Sequence, residues 1–225
     1  MLLAIDTATN VPSIALRDAQ GIVGETTWRT REHHTRSLMP EITRLMELLD
    51  TRAPQLEIIA VATGPGSFTG LRIGLSAAKG LAYSLNATLI GVPTLEITAC
   101  AFADQTLPVC AVMVAGRARY AAALYCFENG ATLRASEYRF GTADALAREL
   151  DADMPARFVL AGESDEVLRA QMQLHYGARA VLANPALNVR RAGFLAELAW
   201  RRAQAGQADD LQTLTPYYIP TAALA

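Results

Sequence analysis

The sequence predicts an α/β fold made of two copies of one unit, each with a mixed sheet and flanking helices. Three observations lead to this prediction. Three short apolar strands near the start are followed by strands that alternate with helices. A glycine-rich corner at residues 64–74 joins one of those strands to a helix. After a polar stretch around residue 104, the same order of elements begins again.

Composition limits the size of the fold and its surroundings. The 225 residues, 52% of them hydrophobic, are enough for one large domain or two small ones. A formal net charge of −2 argues against a large autonomous nucleic-acid surface. Three cysteines without a C-x-x-C pair argue against a disulfide framework or a zinc site. No apolar run reaches membrane-spanning length, so we expect a cytoplasmic protein with reduced thiols that does not bind membranes.

The first half is expected to be a meander followed by alternating elements. Strands are predicted at 2–5, 13–16, 22–28, 57–62 and 88–92, and helices from about 31 to 49, at 69–85 and from 94 to about 103. Asp6 ends the first strand. It is either a turn residue bonded to its own backbone or a carboxylate aimed at a phosphate-bound metal or a water, and both interpretations remain open.

The glycine corner, Gly64–Gly74, has two functional interpretations and one structural one. Its spacing fits neither the dinucleotide fingerprint nor the P-loop. From Thr69, the predicted N-cap, small residues recur every four positions on one helix face, namely Gly70, Gly74 and Ala78, in register with Gly66. We favour a helix–helix protein interface for this stripe. An anion held at the helix N-terminus and a contact inside the chain are the alternatives.

The helix before the corner is apolar over a wide arc. One stripe consists of Leu38, Ile42, Leu45 and Leu49, and a second of Met39 and Met46. Such a helix usually buries more than one face, so one side is expected to cover the sheet and the other to meet a partner. The adjacent His33 and His34 point about 100° apart on a helix. We therefore predict no metal site and interpret His34 as a helix-start or interface residue.

The second half repeats this plan after a polar boundary at 104–108, which predicts subdomains at 1–104 and 105–225. Strands are expected at 109–114, 119–127, 131–138, 157–161 and 178–182, and helices at 142–150, 164–175 and 188–205. This duplication indicates the actin/Hsp70/sugar-kinase architecture. Active members need an acid after the first strand of each half, and Val114-Ala115-Gly116 offers none.

Beyond its layout, the sequence resembles the TsaB (YeaZ, glycoprotease-like) family of tRNA threonylcarbamoyladenosine biosynthesis proteins. The resemblance covers residues 1 to about 100, through Leu3–Thr7, His34 with Leu38 and Pro40, Gly64–Gly74, Lys79–Ala82 and Gly91–Leu95. The second half matches mainly by layout, with Arg117 and Pro216-Tyr217-Tyr218. It departs at Ala115 and Pro220, where relatives usually carry aspartate and arginine.

The resemblance implies a non-catalytic scaffold subunit. It would support TsaD, a paralogue that uses two metal-binding histidines, in transferring threonylcarbamoyl to the adenosine next to the anticodon of ANN-decoding tRNAs. The ATPase TsaE would join them, the chain alone would form a homodimer, and tRNA would be met only through the complex. No cofactor is expected on the chain alone, and ATP or ADP only in the complex.

An enzyme is the alternative, either a small actin-like phosphotransferase or ATPase or a glycoprotease-like peptidase. The missing second acid and the lack of a nucleophile–base signature weigh against both. We therefore assign no catalytic residue and expect no intrinsic activity.

The resemblance places the partner-binding surface on the first two predicted helices. The residues expected there are His34, Leu38, Ile42, Leu45, Met46, Leu49, Gly70, Leu71, Arg72, Gly74, Leu75 and Ala78. Those expected nearest any nucleotide are Asp6, Thr7, Gly66 and Ser67. On this interpretation, Gly74→Arg should block association and leave the monomer folded.

Overall fold

The structure is a computed structural model that describes residues 1–30, 34–151 and 153–219, without the side chains of residues 34 and 35. The strands are β1 (Leu2–Asp6), β2 (Ser13–Arg17), β3 (Ile22–Thr27), β4 (Ile58–Gly64), β5 (Thr88–Pro93), β6 (Val109–Gly116), β7 (Arg119–Glu128), β8 (Ala131–Arg134), β9 (Arg139–Thr142), β10 (Phe158–Gly162) and β11 (Ala180–Leu182). The helices are α1 (His34–Leu48), α2 (Phe68–Leu85), α3 (Thr94–Cys100), α4 (Ala143–Glu149), α5 (Glu166–Tyr176) and α6 (Ala192–Gln204).

The first compact unit comprises Met1–Ile97 and Arg191–Tyr218. Its sheet has the order β3-β2-β1-β4-β5, with β1 antiparallel to β2 and parallel to β4. Leu3 and Ile5 lie in an apolar cluster with residues of α1 and α2. The alternate residues Leu2 and Ala4 are equally buried, and α6 packs against β1 and β2. The sheet is therefore covered on both faces, which explains why β1 is continuously apolar.

The second unit, formed chiefly by Thr98–Arg190, repeats this sheet. Its strand order is β11-β10-β6-β7-β8, and β9 also pairs with β7. Since β6 is antiparallel to β7 and parallel to β10, it takes the place that β1 has in the first unit. The predicted duplication of a meander-first α/β unit is confirmed.

The strand predicted at 131–138 ends at Arg134 as β8, and a strand that was not predicted, β9, begins at Arg139. Both pair with β7. Between them, the hydroxyl of Ser136 accepts a hydrogen bond from the Leu124 amide at 2.9 Å. The Ser136 side chain thus satisfies a main-chain N–H of β7 in the gap between the parts of β7 that pair with β8 and with β9.

The last helix corrects the predicted division into 1–104 and 105–225. Instead of joining the second subdomain, α6 packs in the first unit, together with the chain that follows it. Its first amide, that of Ala192, donates to the Ser13 hydroxyl at 2.9 Å. Glu197 pairs with Arg17 at 2.9 Å. A small-residue face with buried Gly193 and Ala196 allows α6 to lie close to the sheet.

In the second unit, Asp165 is the N-cap of α5, which the sequence predicted to begin at residue 164. The Asp165 carboxylate accepts from the Leu168 amide at 2.9 Å, and the Tyr120 hydroxyl donates to both of its oxygens at 2.7 Å. These hydrogen bonds lower the pKa of Asp165, that from the Leu168 amide most and that from the Tyr120 hydroxyl next. Burial, with the hydrogen bond to Asp165 and its charge, raises the pKa of the Tyr120 phenol to about 12.

We predict that Asp165→Asn lowers stability in a pH-dependent way. Asparagine caps helices about as well as aspartate but lacks the charge, so the loss at neutral pH should be about 0.5–1 kcal/mol for this exposed group. A carboxyl with a lowered folded-state pKa stabilises above its unfolded pKa, and this contribution disappears as the pH falls through the folded pKa. Thermal unfolding of both proteins, at neutral pH and in acid, should therefore converge in acid. A difference that persists in acid would contradict this account.

Candidate functional site

The glycine corner between β4 and α2 packs tightly against the turn that follows β1. The Ser67 amide donates to the Ala8 carbonyl at 2.7 Å. A Cβ on Gly66 would lie only 2.6 Å from that same oxygen. Gly64 has a φ of +111°, a conformation that glycine adopts without strain. The glycines thus allow the loop to lie directly on the β1 turn.

The helix α2 begins at Phe68 and is capped by Ser67, two residues before the predicted cap Thr69. The Ser67 hydroxyl accepts from the Gly70 amide at 3.2 Å. The Ser67 and Gly70 amides are therefore both bonded within the chain. This arrangement leaves the helix start with fewer free donors for an anion than the sequence allowed.

The small-residue stripe of α2 faces the inside of the first unit. The Thr7 hydroxyl donates to the Gly70 carbonyl at 2.7 Å. A Cβ on Gly74 would overlap the same hydroxyl oxygen, and Ala78 is fully buried. The preferred interpretation as a partner interface is corrected to the contact inside the chain. Gly74→Arg would place a long charged side chain in a closed contact, so it should unfold the unit rather than leave it intact.

Most of the other residues predicted for partner binding also belong to the core. Leu38, Ile42 and Leu45 are 2%, 2% and 4% exposed. Leu71 and Leu75 are buried as well, and Met46 and Leu49 are partly buried against the same cluster. His34 begins α1, but its side chain lies outside the description. Of the set, Arg72 is exposed.

The residues at the end of β1 are buried. Asp6 and Thr7 are each 1% exposed. The Asp6 carboxylate accepts from the Ala8 amide at 2.9 Å, which is the turn contact that the first interpretation of this residue predicted. Gly66 is half-buried and Ser67 exposed in the corner next to this turn. A role of these four residues near a nucleotide stays a prediction.

A groove between α1 and α2 is exposed in this region. It has a volume of about 450 Å³ and is lined by Leu38, Met39, Phe68, Thr69, Arg72, Ile73, Ser76 and Ala77. Met39 and Phe68 are 44% and 54% exposed. Arg72 and Ser76 lie two residues beyond Gly70 and Gly74, about 200° around the helix. In the sequence, this groove was indicated by Met39 and by the apolar residues that alternate with the glycines of α2.

In residues 1–30, 34–151 and 153–219, no cluster of three histidine, cysteine or acidic side chains could hold a metal. Cys110 is completely buried, and burial raises the pKa of its thiol to about 12, so it stays protonated. The strand β6 ends in Val114-Ala115-Gly116, without the carboxylate that ends β1. No helix of the described chain is both long and apolar enough to cross a membrane.

The two repeated units define an actin/Hsp70/sugar-kinase-like chain. The ROK hexokinase of Thermus thermophilus shares this fold at a TM-score of 0.52 and 12% identity, over 89% of this chain and 99% of that one. At this identity, the likeness concerns the fold alone.

Relatives with higher sequence identity show which family of this fold the chain belongs to. The family model described as "TsaD: tRNA N6-adenosine threonylcarbamoyltransferase" matches residues 8–205. TsaB of Bacillus subtilis is 28% identical over 219 residues, 97% of this chain and 93% of that protein. YeaZ from Pseudomonas aeruginosa superposes with a TM-score of 0.80 at 25% identity, over 97% of this chain and 99% of that one. A tRNA N6-adenosine threonylcarbamoyltransferase of Desulfovibrio desulfuricans is 40% identical over 67 residues, 30% of this chain and 18% of that one. The chain belongs to this family, as a member of its TsaB (YeaZ) group.

Two glycines of α2 give a matched test of the corrected packing. Gly74→Ala should cost about 1–2 kcal/mol, because the collision with Thr7 outweighs the higher helix propensity of alanine. Gly80→Ala should instead stabilise by up to about 1 kcal/mol, since a Cβ there meets nothing within 4 Å. Chemical denaturation of the two variants measures both effects. Stabilisation by both substitutions would show that Gly74 is not closely packed.

Proposed function

We propose that this chain is a non-catalytic subunit in tRNA threonylcarbamoyladenosine biosynthesis, and that it docks on a TsaD-type transferase through the α1–α2 groove. The membership of the TsaB group supports the pathway. The Bacillus subtilis relative, aligned over nearly the whole of both chains, is named as a biosynthesis protein for this modification. The match to the transferase family supports a partner of the same ancestry.

The exposed groove is the observation that carries the proposed docking role. Met39, Phe68 and Ile73 place apolar side chains at the surface of two adjacent helices. Ser76 and Ala77 are short, so a helix of the partner can approach α2 closely. An apolar groove of this kind, rimmed by polar residues, is typical of a protein-interaction site. In the absence of the transferase, a second copy of this chain would occupy the same groove.

Two features of the described residues and one of the sequence support an accessory role. Asp6 is engaged in its own turn, and the end of β6 carries no carboxylate. TsaD uses two metal-binding histidines in an H-x-x-x-H motif, and none of the three histidines in this sequence have that spacing. Catalysis therefore belongs to the transferase, ATP hydrolysis to a TsaE-type ATPase, and tRNA is met through the complex. These features weigh against the phosphotransferase and peptidase alternatives.

The docking proposal predicts different outcomes for two serine substitutions on α2. Ser76→Arg, in the groove, should weaken binding of the transferase from the same organism at least tenfold, or ~1.4 kcal/mol, because arginine fills the space that a partner helix needs. Ser84→Arg is the control, since Ser84 is an exposed serine two turns further along and does not line the groove. Titration calorimetry measures both affinities, and circular dichroism checks folding.

The two variants also separate the alternatives. Equal affinities for Ser76→Arg and wild type would place the interface elsewhere. Sizing of the chain alone tests the homodimer, which Ser76→Arg should dissociate and Ser84→Arg should not. If wild-type chain and transferase do not associate at all, the proposed function is wrong.

The same proposal leaves the chain without a cofactor of its own. We expect no measurable ATP or ADP binding by the isolated chain, with binding only after the transferase is added. The bonded Ser67 and Gly70 amides and the buried Asp6 support this expectation. Titration of ATP with Mg²⁺ into the chain, and then into the mixture, is the test. Stoichiometric binding by the chain alone would contradict it.

A further inference from the structure

The chain after α6 returns across the first unit as a strap, here called the C-terminal strap (residues 207–218). The Asp209 amide donates to the Leu89 carbonyl at 2.8 Å, and its carboxylate accepts from the Gly91 amide at 2.7 Å. Further on, the Tyr217 amide donates to the Thr63 carbonyl at 2.7 Å. The strap is thus fixed to β5 and to β4, and Leu214 packs against the core cluster between these points.

At its end, the strap places Tyr218 against Phe68 and Arg72 on the outer face of α2, and these three side chains form a stack. The Arg72 guanidinium lies 3.7 Å from the centre of the Phe68 ring and 5.6 Å from that of Tyr218. The two rings are 5.0 Å apart. The Arg72 Nε–H donates to the Tyr218 hydroxyl at 2.8 Å. A cation that contacts two aromatic rings and donates a directional hydrogen bond has little freedom to rotate.

This stack holds an unpaired cation at the edge of the docking groove. Within residues 1–30, 34–151 and 153–219, Arg72 contacts Phe68 and Tyr218 and pairs with no carboxylate. The hydrogen bond to Tyr218 uses Nε, so the two terminal nitrogens remain as a planar fork. Such a fork matches the two oxygens of a carboxylate. Phe68 and Arg72 themselves line the groove.

We propose that the C-terminal strap is a functional part of the docking surface, in which Tyr218 is a positioning residue that presents Arg72 to a carboxylate of the transferase. This inference rests on the proposed function and adds to it an anchor pair and its support. Because the guanidinium is already ordered, binding loses less side-chain entropy than with a free arginine. The charge pair would fix the orientation of the partner, while the apolar groove supplies the buried area.

The test uses the full chain and the transferase from the same organism, with affinities measured by titration calorimetry at low and at physiological salt. Arg72→Gln should weaken binding at least about tenfold, as is common for interface arginines that anchor a partner. It should also reduce the salt dependence of the affinity, because one charge pair is lost. Tyr218→Phe keeps the ring and removes the hydroxyl, so it should weaken binding by a smaller factor.

A double variant distinguishes positioning from a general structural role. If Tyr218 acts through Arg72, Tyr218→Phe should have no further effect in the Arg72→Gln background. Tyr83→Phe is the matched control, since Tyr83 also lies on the outside of α2 and is 80% exposed. It should bind as wild type does. Thermal unfolding of Tyr218→Phe should stay close to that of wild type, which excludes loss of the strap as the cause.

The outcomes separate this inference from the function on which it rests. Wild-type affinity and salt dependence in Arg72→Gln, together with weakened binding in Ser76→Arg, would overturn the anchor and leave the docking proposal intact. Additive effects of Arg72→Gln and Tyr218→Phe would overturn the positioning role of Tyr218. No association of the wild-type chain with the transferase would overturn both the function and the anchor.

Discussion

The close approach of α2 to the end of β1 sets the position of everything around the groove. It depends on Thr7, whose hydroxyl bonds to the Gly70 carbonyl and contacts the bare face at Gly74. With its glycine side turned inwards, the helix can only present its opposite side, with Phe68, Arg72 and Ser76, to solvent. A contact inside the first unit therefore decides which residues of α2 line the exposed groove.

The sequence was informative wherever local chemistry decides structure. The apolar run of β1, the glycine corner and the restart after residue 104 each depend on short-range preferences, and all three recur in the structure. The resemblance to the TsaB group rested on the same stretches, and the comparisons confirmed it. The cap of α2 differed by two residues, because Ser67 and Thr69 are both good caps and their sequence does not decide between them.

The misplaced features all depended on contacts between residues far apart in the chain. A stripe of small residues shows that something lies close to a helix, but not whether this is a strand of the same chain or another protein. Nothing near residue 192 in the sequence indicates that the first amide of α6 donates a hydrogen bond to the hydroxyl of Ser13. Tyr218 was recognised only as part of a matching motif, since its contact with Arg72 spans 146 positions.

The return of residues 191–218 to the first unit has a consequence for the order in which the chain folds. During translation, the sheet of this unit emerges early, but the face that α6 covers stays exposed until α6 has been made. Long-range closure of this kind delays completion of a fold. A product truncated before Arg191 would expose α1 and α2 without the strap or its tyrosine. The contacts of Arg72 with Phe68 and Tyr218 beside the groove therefore form only after residue 218 has been made.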